Sequence, residues 1–180
     1  MIEIVWYGRG GQGCFTAARL LGLSAVLYAG KQALAFPAFG PERRGAPVMG
    51  FTKIDDNPVI DRSETQGYDY AIVLDETLFS PSMLKKAHQG GSVLLNTRSD
   101  SGYTYKNGVK LYTFDAGTLA YDITGSAIAN VAMLGAFVAL SSALPLAAIE
   151  KGINHEMKGN KGLNNIRLVN AAYSLYMGTV

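Results

Sequence analysis

Six residues, Gly8-Arg9-Gly10-Gly11-Gln12-Gly13, constrain this chain more than any other stretch. They fit G-x-G-x-x-G and stand between an extended run and a helical one. Ile2-Glu3-Ile4-Val5-Trp6-Tyr7 reads as a strand, and Phe15 to Tyr28, rich in alanine and leucine and closed near Gly30, reads as a helix. Glycines let the backbone turn tightly and approach a neighbour, and the first turn of the next helix presents unpaired N–H groups to an anion. Arg9 adds a fixed positive charge. The only charge in the helix is Arg19, so most of its circumference needs cover from a sheet or a partner.

The same spacing is the dinucleotide fingerprint, which also needs an acid about 20 residues on to hold a ribose hydroxyl. No Asp or Glu occurs between Glu3 and Glu42. Three readings of the loop stand: contact with an anion or phosphate, close packing of strand, helix and a neighbouring subunit, or an NAD or FAD site weakened by the missing acid. Cys14, next in sequence, reads as a small buried residue. The alternative is a thiol activated by the helix N-terminus.

Beyond the loop, Gln32 to Phe36 and Val48 to Ile54 read as strands, with a turn at Asp55-Asp56-Asn57-Pro58. Tyr70 to Leu74 and Ser92 to Asn96 are short apolar runs typical of buried strands. Pro81 to Gln89 suits a helix with Ser80 as N-cap. Asn107-Gly108 between Tyr103-Thr104-Tyr105 and Lys110 to Phe114 signals a hairpin. Helices follow at Thr124 to Leu144, Pro145 to Met157 and Leu163 to Met177. The expectation is one domain spanning 1–180. Its class is α/β, a three-layer sandwich with a mixed, mostly parallel sheet and one hairpin.

Composition sets the exclusions. At 180 residues and 48% apolar, the chain can bury a proper core. A net charge of +2 argues against nucleic acid or an anionic membrane as main partner. One cysteine allows neither an intrachain disulfide nor a four-cysteine iron–sulfur cluster. The uncharged stretch from Ser126 to Ile149 is long enough for a membrane span, yet Asn130, Ser141, Ser142 and Pro145 interrupt it. It reads as two core helices, with Asn130 a satisfied buried polar group. Met1 to Ile4 lacks the basic start of an export signal, which points to the cytoplasm. His88 and His155 match no metal spacing and read as surface or helix-end residues. Asp75 and Glu76 follow a buried strand, where α/β sites lie, and can equally cap the next turn.

The most unusual stretch is Phe36-Pro37-Ala38-Phe39-Gly40-Pro41-Glu42-Arg43-Arg44-Gly45-Ala46-Pro47. Prolines stiffen it, Phe36 and Phe39 are costly to leave in water, and arginine forks bind phosphate or carboxylate. It reads as a loop built to touch something, or else as a solvated loop with internal salt bridges.

Gly-Arg-Gly-Gly-Gln-Gly after the first strand, followed by this loop, resembles the gamma subunit of pyruvate:ferredoxin and related 2-oxoacid:acceptor oxidoreductases. Asp75-Glu76, the segment Asn130 to Ala136 and Pro145-Leu146 continue the similarity over nearly the whole length. Where family members often have Gln-Ala-Phe-Pro, this chain has Leu34-Ala35-Phe36-Pro37. The resemblance implies a subunit inactive alone, in an enzyme that converts a 2-oxoacid, with pyruvate favoured, to acyl-coenzyme A and CO2 and reduces ferredoxin. Thiamine diphosphate, Mg and [4Fe-4S] clusters are then expected in alpha, beta and delta partners, in a cytoplasmic complex of anaerobic metabolism. For this chain it implies no catalytic residue and no metal ligand. Gly8, Arg9, Gly10, Gly11, Gln12, Gly13, Glu42, Arg43, Arg44 and Gly45 are expected to help position coenzyme A, or to meet a carboxylate of the alpha subunit. The rivals are an independent NAD- or FAD-binding Rossmann-like domain and a purely structural subunit of the same complex.

Overall fold

A computed structural model describes residues 1–38, 44–99 and 108–178. Six strands form one mixed sheet: β1 (Ile2–Arg9), β2 (Gln32–Pro37), β3 (Pro47–Asp55), β4 (Tyr68–Val73), β5 (Ala87–Asn96) and β6 (Lys110–Phe114). The spatial order is β2-β3-β1-β4-β5-β6. β4, β5 and β6 run parallel to β1, while β3 is antiparallel to both β1 and β2. The helices are α1 (Cys14–Tyr28), α2 (Pro81–Leu84), α3 (Ala116–Thr124), α4 (Asn130–Ser141), α5 (Leu146–Glu156) and α6 (Gly159–Met177).

The period-two alternation along the strands sorts their side chains into two cores. Ile4, Trp6, Ile72 and Leu94 face one way, under α1 and α3 to α6. Val5, Phe51, Ala71, Val73, Val93 and Leu95 face the other way, with Leu84 of α2 and Leu78 of a 3-10 turn at Glu76–Leu78. The outer layers are therefore unequal, a thick bundle on one face and a thin cover on the other. Trp6 pins the thick side. Its indole N–H donates to Thr52 Oγ1 at 3.2 Å, Thr52 donates to the Ala18 carbonyl at 2.9 Å, and its ring meets Phe137 edge-on.

Several boundaries differ from the sequence expectation. The helix expected over Pro81 to Gln89 stops at Leu84, and Ala87 to Gln89 join β5. Ala87 pairs with Tyr68, whose hydroxyl donates to the Met83 carbonyl at 2.6 Å and fixes the helix end. Gly90, at φ 81°, lets the strand shift register beyond that pair. The helix expected from Thr124 is interrupted as well. Gly125 at φ 74° ends α3 in the left-handed conformation, and α4 starts only at Asn130. α3 itself was not anticipated, although Asp115 caps it by accepting from the Thr118 N–H at 3.0 Å. Of the hairpin expected at Asn107-Gly108, one arm lies outside the described residues; the other, β6, pairs parallel with β5. The consecutive antiparallel strands are β2 and β3.

Within the stretch from 126 to 149, α4 is buried in the bundle and the start of α5 packs beside it, while 126–128 before them are exposed. Among the described residues, no helix is long and apolar enough to cross a membrane.

Candidate functional site

The glycine loop lies at the end of β1, beside the parallel strand β4. Gly13 caps α1 at φ 74°, and a Cβ there would run into the side-chain amide of Asn130. Glycine is required twice over at this position, by its dihedral and by the approach of α4. Asn130 is buried at the first turn of α4, donates to the Gly13 carbonyl at 3.1 Å and accepts from the Val131 N–H at 2.9 Å. It is satisfied, as expected, and what it satisfies is the loop.

Arg9 and Gln12 are committed inside the protein. Arg9 Nε donates to Asp75 Oδ2 at 3.1 Å, Nη1 to the Gly45 carbonyl at 3.1 Å and Nη2 to Thr77 Oγ1 at 2.8 Å. Gln12 Nε2 donates to Asp75 Oδ2 at 3.0 Å, and its Oε1 accepts from the Arg9 N–H at 2.8 Å. Asp75 Oδ1 accepts from the Thr77 N–H at 3.0 Å, so this carboxylate both caps the 3-10 turn and clasps the loop. Burial alone would raise the Asp75 carboxyl. Hydrogen bonds from Thr77 and Gln12, with the Arg9 charge, outweigh that and hold it below the usual carboxylate range. Glu76 accepts from the Thr97 hydroxyl.

The clasp reaches the arginine loop as well. Gly10 donates its N–H to the Ala46 carbonyl at 2.9 Å, and Gly45 returns one to the Gly10 carbonyl at 3.1 Å. Arg44 is exposed and has no hydrogen bond or ion pair to any described residue. Glu42 and Arg43 lie outside the described residues.

Two clefts flank the N-terminus of α1 and share Gly11, Gly13 and Thr16. One, of about 630 Å³, runs between Arg9, Arg44 and Val48. The other, of about 450 Å³, opens between the loop, Ser126, Asn130 and the first turns of α6, where Lys161, Asn164 and Asn165 point in. Among the described residues, no carboxylate lines either cleft. With Arg44, Lys161 and the free N–H groups of the α1 start, both favour a negatively charged occupant. Sequence reasoning missed Lys161, Asn164 and Thr16. The signal was a lysine and an asparagine pair at helical spacing i, i+3, i+4.

The remaining candidates take no part. Cys14 is 2% exposed, donates to the Trp6 carbonyl at 3.3 Å, and burial pushes its thiol up to about 12. It is the buried thiol, not the activated one. His88 Nδ1 meets Asp69 at 3.1 Å, and His155, in the last turn of α5, meets the Tyr28 hydroxyl at 3.1 Å. Among the described residues, no group of three His, Cys, Asp or Glu side chains is placed to hold a metal ion. The dinucleotide reading also lacks its scaffold. The strand after α1 is β2, at the sheet edge and antiparallel to β3, where a parallel neighbour of β1 would have to carry the ribose-binding acid.

These observations define an α/β domain whose clasped glycine loop borders two clefts lined, among the described residues, by cationic and neutral side chains. A sequence model described as pyruvate ferredoxin/flavodoxin oxidoreductase matches residues 3–175, and the chain belongs to that family. It is 42% identical over 175 residues to pyruvate synthase subunit PorC of Methanocaldococcus jannaschii, covering 97% of this chain and 96% of the relative. It is 39% identical over 180 residues to the common gamma subunit of the pyruvate/ketoisovalerate oxidoreductases of Thermococcus litoralis, covering 96% of each. The fold matches the crystal structure of pyruvate oxidoreductase subunit PORC from Thermotoga maritima with a TM-score of 0.84 and 34% identity, covering 96% of this chain and 95% of that one.

Proposed function

We propose that this chain is the gamma subunit of a pyruvate-type 2-oxoacid:ferredoxin oxidoreductase, inactive alone, and that it positions coenzyme A for acyl transfer. The relatives' names support the first part. The observation that carries the second is the pair of clefts around the α1 N-terminus that, among the described residues, hold no carboxylate and leave Arg44 and Lys161 without an ion pair. Phosphates of the substrate meet Arg44, Lys161 and the N–H groups of the helix start, while Asp75 and Asn130 hold the loop still. The gain is entropic: the thiol is delivered to the acyl group without any group here doing chemistry.

Thiamine diphosphate with Mg and the [4Fe-4S] clusters belong to alpha, beta and delta partners in this reading. A cluster needs four thiolates, and this chain has one buried cysteine. Ferredoxin is met through those partners, in a soluble cytoplasmic complex.

The test uses the reconstituted complex. Arg44→Ala and Lys161→Ala are expected to raise the KM for coenzyme A about tenfold or more each, the loss of one charge-assisted contact. The half-reaction that needs no coenzyme A should be unchanged. If the arginine instead meets a carboxylate of the alpha subunit, Arg44→Ala loosens the complex and leaves that KM alone. Unchanged kinetics in an intact complex would defeat both roles.

A further inference from the structure

We propose that the free edge of β2 pairs with β2 of a second copy of this chain, joining two six-stranded sheets across a twofold axis at Ala35. The inference is independent of what the clefts bind.

The register shows which backbone groups are free. The Ala38 N–H donates to the Met49 carbonyl at 3.0 Å, and β2 pairs with β3 as Phe36 to Phe51, Leu34 to Lys53 and Gln32 to Asp55. Antiparallel pairs alternate, so Ala38, Phe36, Leu34 and Gln32 turn their N–H and C=O groups toward β3. On the far side of β3, Gly10 donates to the Ala46 carbonyl, which fits the same alternation. Ala33, Ala35 and Pro37 therefore turn their backbone groups away from the sheet. β2 is an end strand, and no described strand lies beyond it.

This edge lacks the usual protection. Natural edges carry charges, above all lysine, to block pairing with another chain. Gln32-Ala33-Leu34-Ala35-Phe36-Pro37 has no charge, and the adjacent Lys31 is held by Asp56 at 2.6 Å. The other end strand, β6, begins with Lys110. The one protective residue in β2 is Pro37, whose missing N–H lies on the open side, where proline is tolerated in a sheet.

The open groups are self-complementary. About a twofold axis at Ala35, the N–H of each Ala35 meets the C=O of the other, and the N–H of each Ala33 meets the C=O of the other Pro37. The proline's lack of a donor falls at the end of the ladder and leaves the central pairs intact. Apolar cover continues on both faces. Gly22 lets α1 lie close over Ala33 and Ala35, with half-buried Leu23 and Val26, 45% exposed, along that helix. On the other face, Phe36 stacks on Phe51 at 5.1 Å between centroids. A second copy meets the same uncharged, apolar surface it presents, the condition for an isologous contact.

The experiment is sedimentation of the full chain across the micromolar range, with residue-resolved amide exchange on the same samples and on the assembled oxidoreductase. Expected is a concentration-dependent species of twice the 19.2 kDa chain mass, with the Ala33 and Ala35 amides slow in it and fast in the monomer. Leu34 and Phe36 should be slow in both. Ala35→Pro removes an outward N–H while sparing the β2–β3 ladder, and should weaken association about tenfold or more. If that variant misfolds, exchange in the unmodified chain decides. A chain monomeric throughout, or a dimer with fast Ala33 and Ala35 amides, overturns the proposal. Protection of those amides only in the assembled oxidoreductase also overturns it, and assigns the edge to a strand of another subunit.

Discussion

Asp75 gathers three segments distant in sequence: the glycine loop through Arg9 and Gln12, the 3-10 turn through Thr77, and, by way of Arg9, the carbonyl of Gly45. Asp75→Asn keeps the shape but turns an N–H₂ toward donors, and is expected to cost about 2 kcal/mol in urea unfolding at pH 7. The sign with pH follows from the depressed carboxyl. Its stabilisation is complete above the unfolded value of about 3.9 and is lost as pH falls through the lower folded value. The gap between wild type and variant should hold at neutral pH and close only in acid. At Gly13, Gly13→Ala should cost about 1–3 kcal/mol, from a left-handed dihedral and the Asn130 amide together. In an Asn130→Ala background the contact part vanishes, so a double-mutant cycle should show favourable coupling.

Between elements, α4 packs closely on α6 through Gly135. A Cβ at Gly135 would stand 2.6 Å from the Val169 carbonyl, a backbone atom that moves only if a helix moves. Gly135→Ala is expected to destabilise by about 1–3 kcal/mol, read as a lowered midpoint in chemical unfolding with an unchanged slope. Strands β1 to β5 were legible because short apolar or alternating runs bounded by turn residues have few other uses. The helix expected over 81–89 was misread. Its start carries sound signals in Ser80 and Pro81, but its stop is set by the tertiary contact from the Tyr68 hydroxyl to Met83. The break at Gly125 was visible in principle. A glycine followed by serine inside a long apolar run was overridden by the run itself.

For the molecule as a whole, the place of the glycine loop was legible, since such a loop between strand and helix lies at a strand end in any such fold. The fate of Arg9 was not. Its acid is 66 positions away, and sequence spacing carries no information about pairs joined only by sheet order. The unequal outer layers give a further expectation. Native-state amide exchange should be slowest at the centre of β1 and β4, around Trp6 and Ile72, and should open first at the short α2 on the thin face. Equal protection on both faces would contradict that description.

The central place of β1 also has a meaning in time. It pairs with β3 and β4 and carries Trp6, whose ring is closed over by Phe137 of α4. A ribosome completes β1, α1, β2 and β3 early, α1 being the crossover that sets β2 parallel to β1 so that β3 can fold back between them. The helix that seals the indole emerges long afterwards. Trp6 is thus a clock for the nascent chain, wet through most of synthesis and dry only when the bundle arrives.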